Sequence, residues 1–373
     1  MVDIKKVAVL GSGVMGSGIA AHMANAGIPV VLLDIVKPGE KNRNALTEGG
    51  VEKQLGAKPS GFVHKNKAKL VTCGNLEDNL GLLKECDWIV EAVLEKLEVK
   101  QEVYRKVDAA RKPGSIVSSN TSTLPIHELV KGLPPAFAKD FMITHFFNPP
   151  RFMRLLEVVK GEQTRPDAFE AISRFADVTL GKGIVECKDT PGFIANRIGV
   201  YWLMLALLEA IRMGVTPEQA DAVMGRPVGI PKTGVFGLFD LIGIDLMPLI
   251  AREMLHTLPE SDSFRTLYTE PELVKKMIAD GYTGRKGKGG FYRIHRVECF
   301  SCRFFKQCRY GFALFFQFCS KPIGTVLLFV AQTVDQLKWP VFPVIAHAHR
   351  FIDAGNTIGN FRHERGGVRQ RSR

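Results

Sequence analysis

The pattern Gly11-Ser-Gly13-Val-Met-Gly16 follows the short apolar run Val7–Leu10 and opens the small-residue stretch Met15–Ala26. No other feature restricts the fold of this chain as strongly. The first glycine permits a tight turn, and the second lets backbone approach a pyrophosphate. The third lets strand and helix pack closely, while free amides at the helix start, those of Val14 and Met15 among them, attract the anion. Asp34 closes the next apolar run, Pro29–Leu33. A carboxylate there accepts ribose hydroxyls and repels a 2′-phosphate, so the pattern favours NAD over NADP, with Lys37 nearby as the opposing signal. The competing explanation is a structural turn in an unliganded α/β domain.

Strand-like runs continue at Lys69–Cys73, Trp88–Glu91, Ser115–Ser118, Phe141–Thr144, Leu155–Val159 and Gly183–Glu186, with helical stretches such as Glu98–Ala110 and Asp167–Leu180 between them. Such alternation predicts a mostly parallel, doubly wound sheet of Rossmann type. After Pro191 the strand signal fades. Phe193–Met213, Pro217–Met224, Asp245–Leu258 and Pro271–Asp280 read as helices, three of them with proline where a first turn tolerates it. The expected organisation is a dinucleotide-binding domain over residues 1–187 and an all-helical domain over 188–293. The lysine-rich segment Lys37–Ala68 is expected to project from the first domain.

The formal charge of +12 would suggest nucleic acid, but its distribution argues against that. Residues 294–373 hold twelve Lys and Arg against four acids, which leaves +4 for residues 1–293. The same segment carries 11 of the 24 Phe and four of the seven Cys. Its apolar residues keep no period of 2 or 3.6, so it reads as a segment that is not a folded domain. A shifted reading frame or a fusion junction would give that composition, and a membrane-associating terminus is the alternative. Cys299, Cys302, Cys308 and Cys319 lack the second close pair of a zinc site. An odd cysteine count, no signal-peptide pattern and no apolar run long enough to span a bilayer point to the cytoplasm.

His145 sits at the end of the apolar strand Phe141–Thr144, at the edge where open α/β sheets bind ligands. Oxidising a secondary alcohol needs a base for the hydroxyl proton, and imidazole titrates in the right range. Glu157, twelve residues on in Leu155-Leu-Glu-Val-Val159, is placed to orient that ring. A histidine satisfied within the core is the plainer reading. Ser122 follows the strand Ser115–Ser118 in Asn120-Thr-Ser-Thr, where the competing role is a helix cap. Asn196 begins the helical domain, pointing either into the cleft or to solvent.

Seven segments in register resemble the 3-hydroxyacyl-CoA dehydrogenases: VLGSGVMGSGIA, IVEAVLEKLEVK, SSNTSTLPI, THFFNPP, LLEVV, KDTPGFIANR and GRKGKGGFY. They span Val7–Tyr292, about four-fifths of the chain. The first segment and HFFNPPRFM are most similar to long bacterial members that carry an enoyl-CoA hydratase half. Nothing after Arg293 resembles such a half, so no hydratase activity is expected. Gly287 departs from the Thr common in the family.

The resemblance implies NAD-dependent oxidation of (3S)-3-hydroxyacyl-CoA to 3-oxoacyl-CoA in fatty-acid β-oxidation. His145 would be the base and Glu157 its partner, with Ser122 and Asn196 bonding the substrate. Gly11, Gly13, Gly16 and Asp34 match the NAD fingerprint, Glu95 and Lys100 further cofactor contacts, and Lys286 a basic residue reaching back toward NAD. A homodimer through the helical domain is also implied. Basic residues at Lys41, Arg43, Lys53, Lys58, Lys65 and Lys67 are candidates for the CoA phosphates, or a solvated helix face. Two rivals remain: another Rossmann hydroxyacid dehydrogenase with a catalytic lysine, and a non-catalytic NAD-binding homologue.

Overall fold

A computed structural model describes residues 2–292 apart from Pro231; the biased segment 294–373, with its four cysteines, lies outside the described residues. In chain order the elements are β1 (Val7–Leu10), α1 (Val14–Asn25), β2 (Val30–Asp34), α2 (Ala45–Gly56), β3 (Val71–Asn75), β4 (Trp88–Glu91), α3 (Leu97–Ala110), β5 (Ile116–Ser119), α4 (Ile126–Leu129), α5 (Pro135–Lys139), β6 (Phe141–Phe146), β7 (Leu155–Lys160), α6 (Pro166–Val178) and β8 (Gly183–Cys187). The strands form one sheet ordered β3-β2-β1-β4-β5-β6-β7-β8. The first six are parallel, in the order of a dinucleotide-binding sheet with its switch point beside β1. β7 turns back antiparallel to β6, and β8 runs parallel to β7.

Both faces of the sheet are covered, which is why its strands read as unbroken apolar runs. Val7 and Val9 point to a core closed by Ile19 and Met23 of α1 and Ile172 of α6. Ala8 and Leu10 point the other way, to Val103, Tyr104 and Val107 of α3. A side chain of this kind contributes roughly 1.5–3 kcal/mol when fully buried.

The segment 37–68 does not stand clear of the domain as its polarity suggested. Gln54 of α2 donates to Ser17 of α1 at 3.0 Å, and a Cβ on Gly50 would lie 2.9 Å from the Ser12 carbonyl oxygen. Asn25 ties the following turn at Gly61 O. Small residues let α2 lie against α1, so only its outer face is polar.

The second part is helical, as expected: α7 (Ala195–Met213), α8 (Pro217–Val223), α9 (Phe236–Ile242), α10 (Leu246–Thr257), α11 (Ser263–Leu267) and α12 (Glu272–Ala279). Its core joins Leu203 and Leu207 to Phe236, Phe239, Met247 and Phe264. Two carboxylates fasten the final turn: buried Asp240 accepts the amides of Phe291 and Tyr292, and half-buried Asp221 accepts the Tyr292 hydroxyl at 2.8 Å. The GKGGFY pattern therefore closes the helical domain. Among the described residues no helix is long and apolar enough to cross a membrane, and no group of three or more His, Cys, Asp or Glu is placed to hold a metal ion.

Candidate active site

The glycine turn divides into structural and open positions. A Cβ on Gly16 would lie 1.8 Å from Gly11 O, and one on Gly11 would lie 2.5 Å from Ala92 O, whereas Gly13 has nothing within 4 Å. The strand–helix contact thus requires the outer glycines, and the middle one leaves space above the backbone. The first bond of the helix runs from Ser17 N to Gly13 O, and α1 has neither a side-chain cap nor an acid in its first turn. Its leading amides are available for an anion. Asp34 Oδ2 accepts both the amide and the hydroxyl of Ser12 at 2.6 Å, which fixes the carboxylate beside the turn. Lys37 is paired with Glu40 at 2.8 Å, so its charge is already partnered. These residues fit a dinucleotide.

His145 and Glu157 face each other directly across the β6–β7 ladder. His145 Nδ1 lies 2.8 Å from Glu157 Oε2, with the histidine 6% exposed. A lone buried carboxylate would cost several kcal/mol, more than a neighbour such as Val158 contributes at about 2 kcal/mol. Glu157 is not alone. Its Oε1 accepts the amides of Ile194 at 3.0 Å and Ala195 at 2.7 Å, at the start of α7. Burial alone would raise this carboxyl, but the His145 ring and the two amides outweigh it and hold the group below its ordinary value. Glu157 is therefore the anion and Nδ1 donates to it, so in the neutral ring Nε2 is the accepting nitrogen.

Ser122 lies on the loop after β5. Its carbonyl accepts Gly192 N at 3.1 Å, which joins that loop to the turn before α7. Asn120, on the same loop, accepts Phe146 N at 2.9 Å, one residue beyond His145. Asn196 sits half-buried in the first turn of α7, next to the Ala195 amide that binds Glu157. The segments bearing Ser122, His145, Glu157 and Asn196 are thus tied together at one end of the sheet.

A family model for the 3-hydroxyacyl-CoA dehydrogenase NAD binding domain matches residues 6–190, and one for the C-terminal domain of the same family matches 192–294. The chain belongs to the 3-hydroxyacyl-CoA dehydrogenase family. Its cofactor is NAD, and it is an NAD-dependent oxidoreductase. A "Probable 3-hydroxyacyl-CoA dehydrogenase" of Deinococcus radiodurans is 42% identical over 82% of this chain and 87% of its own length. Other relatives are longer: a Bacillus subtilis protein of the same name is 41% identical, and the match spans 78% of this chain but 38% of that protein. The crystal structure of (S)-3-hydroxybutyryl-CoA dehydrogenase from Ralstonia eutropha superposes with a TM-score of 0.64 at 28% identity, over 78% of this chain and 99% of the other.

Within this 3-hydroxyacyl-CoA dehydrogenase fold, the remaining expected contacts fall in different places. Lys100 is 1% exposed, with its ammonium 2.8 Å from Glu91 and 3.0 Å from Glu95. It occupies the same helical stripe as Val103, Tyr104 and Val107, so it faces the core and not an open cleft. Glu95 links outward, accepting Thr121 Oγ1 and the Ser122 amide at 3.2 Å. Lys100 and Glu95 thereby brace the Ser122 loop. Lys286 lies on the closing turn of the helical domain, its ammonium paired with Asp245 at 2.9 Å. The candidate phosphate cations Lys41, Lys53, Lys58 and Lys65 are exposed, and Arg43 is committed to Glu77 and Asp78.

Three residues escaped sequence reasoning. Glu91 is fully buried and accepts from Lys100, Tyr104, Ser119 and the Val93 amide. A charged residue ending the apolar run Trp88-Ile-Val was the available signal. Phe193 packs on the His145 ring, which nothing local in the sequence indicates. Lys182, 3% exposed, donates to Pro150 O and to Met153 O at 2.8 Å and so holds the loop after His145; burial pushes its ammonium down to about 8.

Proposed function

We propose that His145 is the base in the reversible NAD-dependent oxidation of (3S)-3-hydroxyacyl-CoA to 3-oxoacyl-CoA, the dehydrogenation step of fatty-acid β-oxidation. The observation that carries this reading is the 2.8 Å contact between His145 Nδ1 and the buried Glu157 carboxylate. With Nδ1 donating to that carboxylate, the neutral ring presents Nε2 as the acceptor for the substrate hydroxyl proton. When bound, NAD supplies the hydride acceptor. As the proton arrives at Nε2, the ring becomes cationic and the Glu157 charge stabilises it, while the Ala195 and Ile194 amides keep that carboxylate ionised. Ser122 and Asn196 hold the substrate's hydroxyl and thioester region, supported by the Gly192–Ser122 link. Gly11, Gly13, Val14, Met15, Gly16 and Asp34 bind the cofactor, with Glu95 and Lys100 bracing its edge and Lys286 contributing from the last turn.

Within this reading residues 1–187 hold NAD and 188–293 close over the acyl-CoA. A homodimer through the helical domain is supported by the exposed Ile198, Leu241 and Leu249. A cytoplasmic setting is supported by the free thiols of Cys73, Cys86 and Cys187.

The test is His145→Ala, with NADH production measured from 3-hydroxybutyryl-CoA. Turnover should fall by about 10²–10⁴-fold while NAD affinity is kept. Near-parental turnover would remove His145 from the mechanism.

A further inference from the structure

The interdomain turn contains a left-handed pair. Gly192 has φ +77°, and Phe193 has φ +47°, the one non-glycine positive φ among the described residues. Glycine adopts this conformation freely, whereas a bulky side chain rarely does. An ordinary core phenylalanine would explain why Phe193 is 4% exposed, but not why a ring is kept on that backbone.

What the ring touches supplies the reason. Its centroid lies 5.5 Å from the His145 imidazole, tilted by 59°, and Phe147 contacts the same imidazole at 4.5 Å and 59°. Glu157 holds the ring edge at Nδ1. Three elements therefore bound the imidazole: the strand it belongs to, the neighbouring strand and the interdomain turn. The turn is itself fixed, because Phe193 N donates to Thr190 O at 2.8 Å, Gly192 N to Ser122 O at 3.1 Å and Ile194 N to Glu157 at 3.0 Å.

We propose that Phe193 is a positioning residue for the dehydrogenation: held by its left-handed backbone, the ring confines the His145 imidazole to the orientation in which Nε2 meets the substrate hydroxyl. This rests on the assignment of His145 as the base. Rotation of the imidazole about its Glu157 bond would carry Nε2 away from the hydroxyl, and misplacements of that size cost turnover more than binding.

Two variants separate ring from backbone. Phe193→Gly relaxes the left-handed conformation while deleting the ring, and Phe193→Leu keeps apolar volume without a flat face. Oxidation of 3-hydroxybutyryl-CoA should lose about tenfold or more in kcat in both, with the KM for NAD within about twofold of the parent. Fluorescence titration with NADH establishes that each variant is folded; should Phe193→Gly fail to bind, Phe193→Leu decides alone. A folded variant with kcat within about twofold of the parent overturns the clamp. Parallel loss of kcat and cofactor binding in Phe193→Leu also overturns it, since that marks a purely structural role. His145→Ala measured alongside keeps the two readings apart: retained turnover there defeats the base assignment, whereas retained turnover confined to the Phe193 variants defeats the clamp alone.

Discussion

Glu157 receives the Ala195 amide on one carboxylate oxygen while the other faces His145, so a single side chain serves both the proposed base and the first turn of α7. Chemistry and domain attachment share one charge.

That sharing sets a pH signature. The Glu157 carboxyl titrates below its ordinary value in the folded protein, because His145 and the two amides outweigh the effect of burial. Its contribution to stability is therefore fully present above the unfolded carboxylate value and is lost as pH falls through the folded one. Glu157→Gln should lower turnover and also be less stable than the parent at neutral pH, with the stability gap closing in acid. Urea midpoints across a pH series check this, and a gap independent of pH would contradict it.

Two of the fingerprint glycines, Gly16 and Gly13, should fail differently. In Gly16→Ala the new carbon meets Gly11 O, so the strand and helix must separate and thermal stability should drop. In Gly13→Ala the carbon enters open space, so the fold should persist while NAD affinity falls. Melting temperature and NADH titration on both variants distinguish the two; equal melting losses would refute the division.

The glycine turn and Asp34 were legible in the sequence because their geometry is local to one strand–turn–helix unit. His145 and Glu157 were legible as polar residues in apolar strands, yet their facing arrangement follows from the reversal of β7. The signal for that was the helix-free connection 147–154, which suits an antiparallel return and not a crossover. The pairing of Lys100 with Glu91 and Glu95 was not legible, because a lysine on a core-facing stripe looks, in sequence, like a cation awaiting a ligand. Lys286 and Phe193 depend on contacts across long separations, with Asp245 and His145, for which spacing carries no information.

Asp34 offers a test of cofactor choice. With Lys37 already paired to Glu40, the Asp34 carboxylate is the local charge that opposes a 2′-phosphate. Asp34→Ala should raise the NADP to NAD ratio of kcat/KM by about tenfold, equivalent to ~1.4 kcal/mol. An unchanged ratio would mean that the discrimination resides elsewhere.

Lys182 predicts an alkaline effect of the same sign as that of Glu157 in acid, though from the opposite cause, a buried charge that is costly and not one that is stabilised. Burial lowers its ammonium from the ordinary 10.5 to about 8. Below that value the charge is buried at full cost; between the two values the unfolded chain binds the extra proton, so stability rises with pH. Denaturation midpoints of the parent should increase across this window relative to Lys182→Met, which lacks the titrating group. A parallel pH course for both proteins would remove Lys182 as the cause.

The ladder rung joining His145 to Glu157 has an evolutionary corollary. Because the pair is spaced by the sheet itself, the loop between the strands can lengthen, shorten or change its chemistry without retuning the acid–base couple. A slip of either strand by a single residue, by contrast, would turn one partner to the opposite face and abolish the couple at a stroke. Changes confined to the connection can thus leave the pair intact, while the two strands are held to a fixed register.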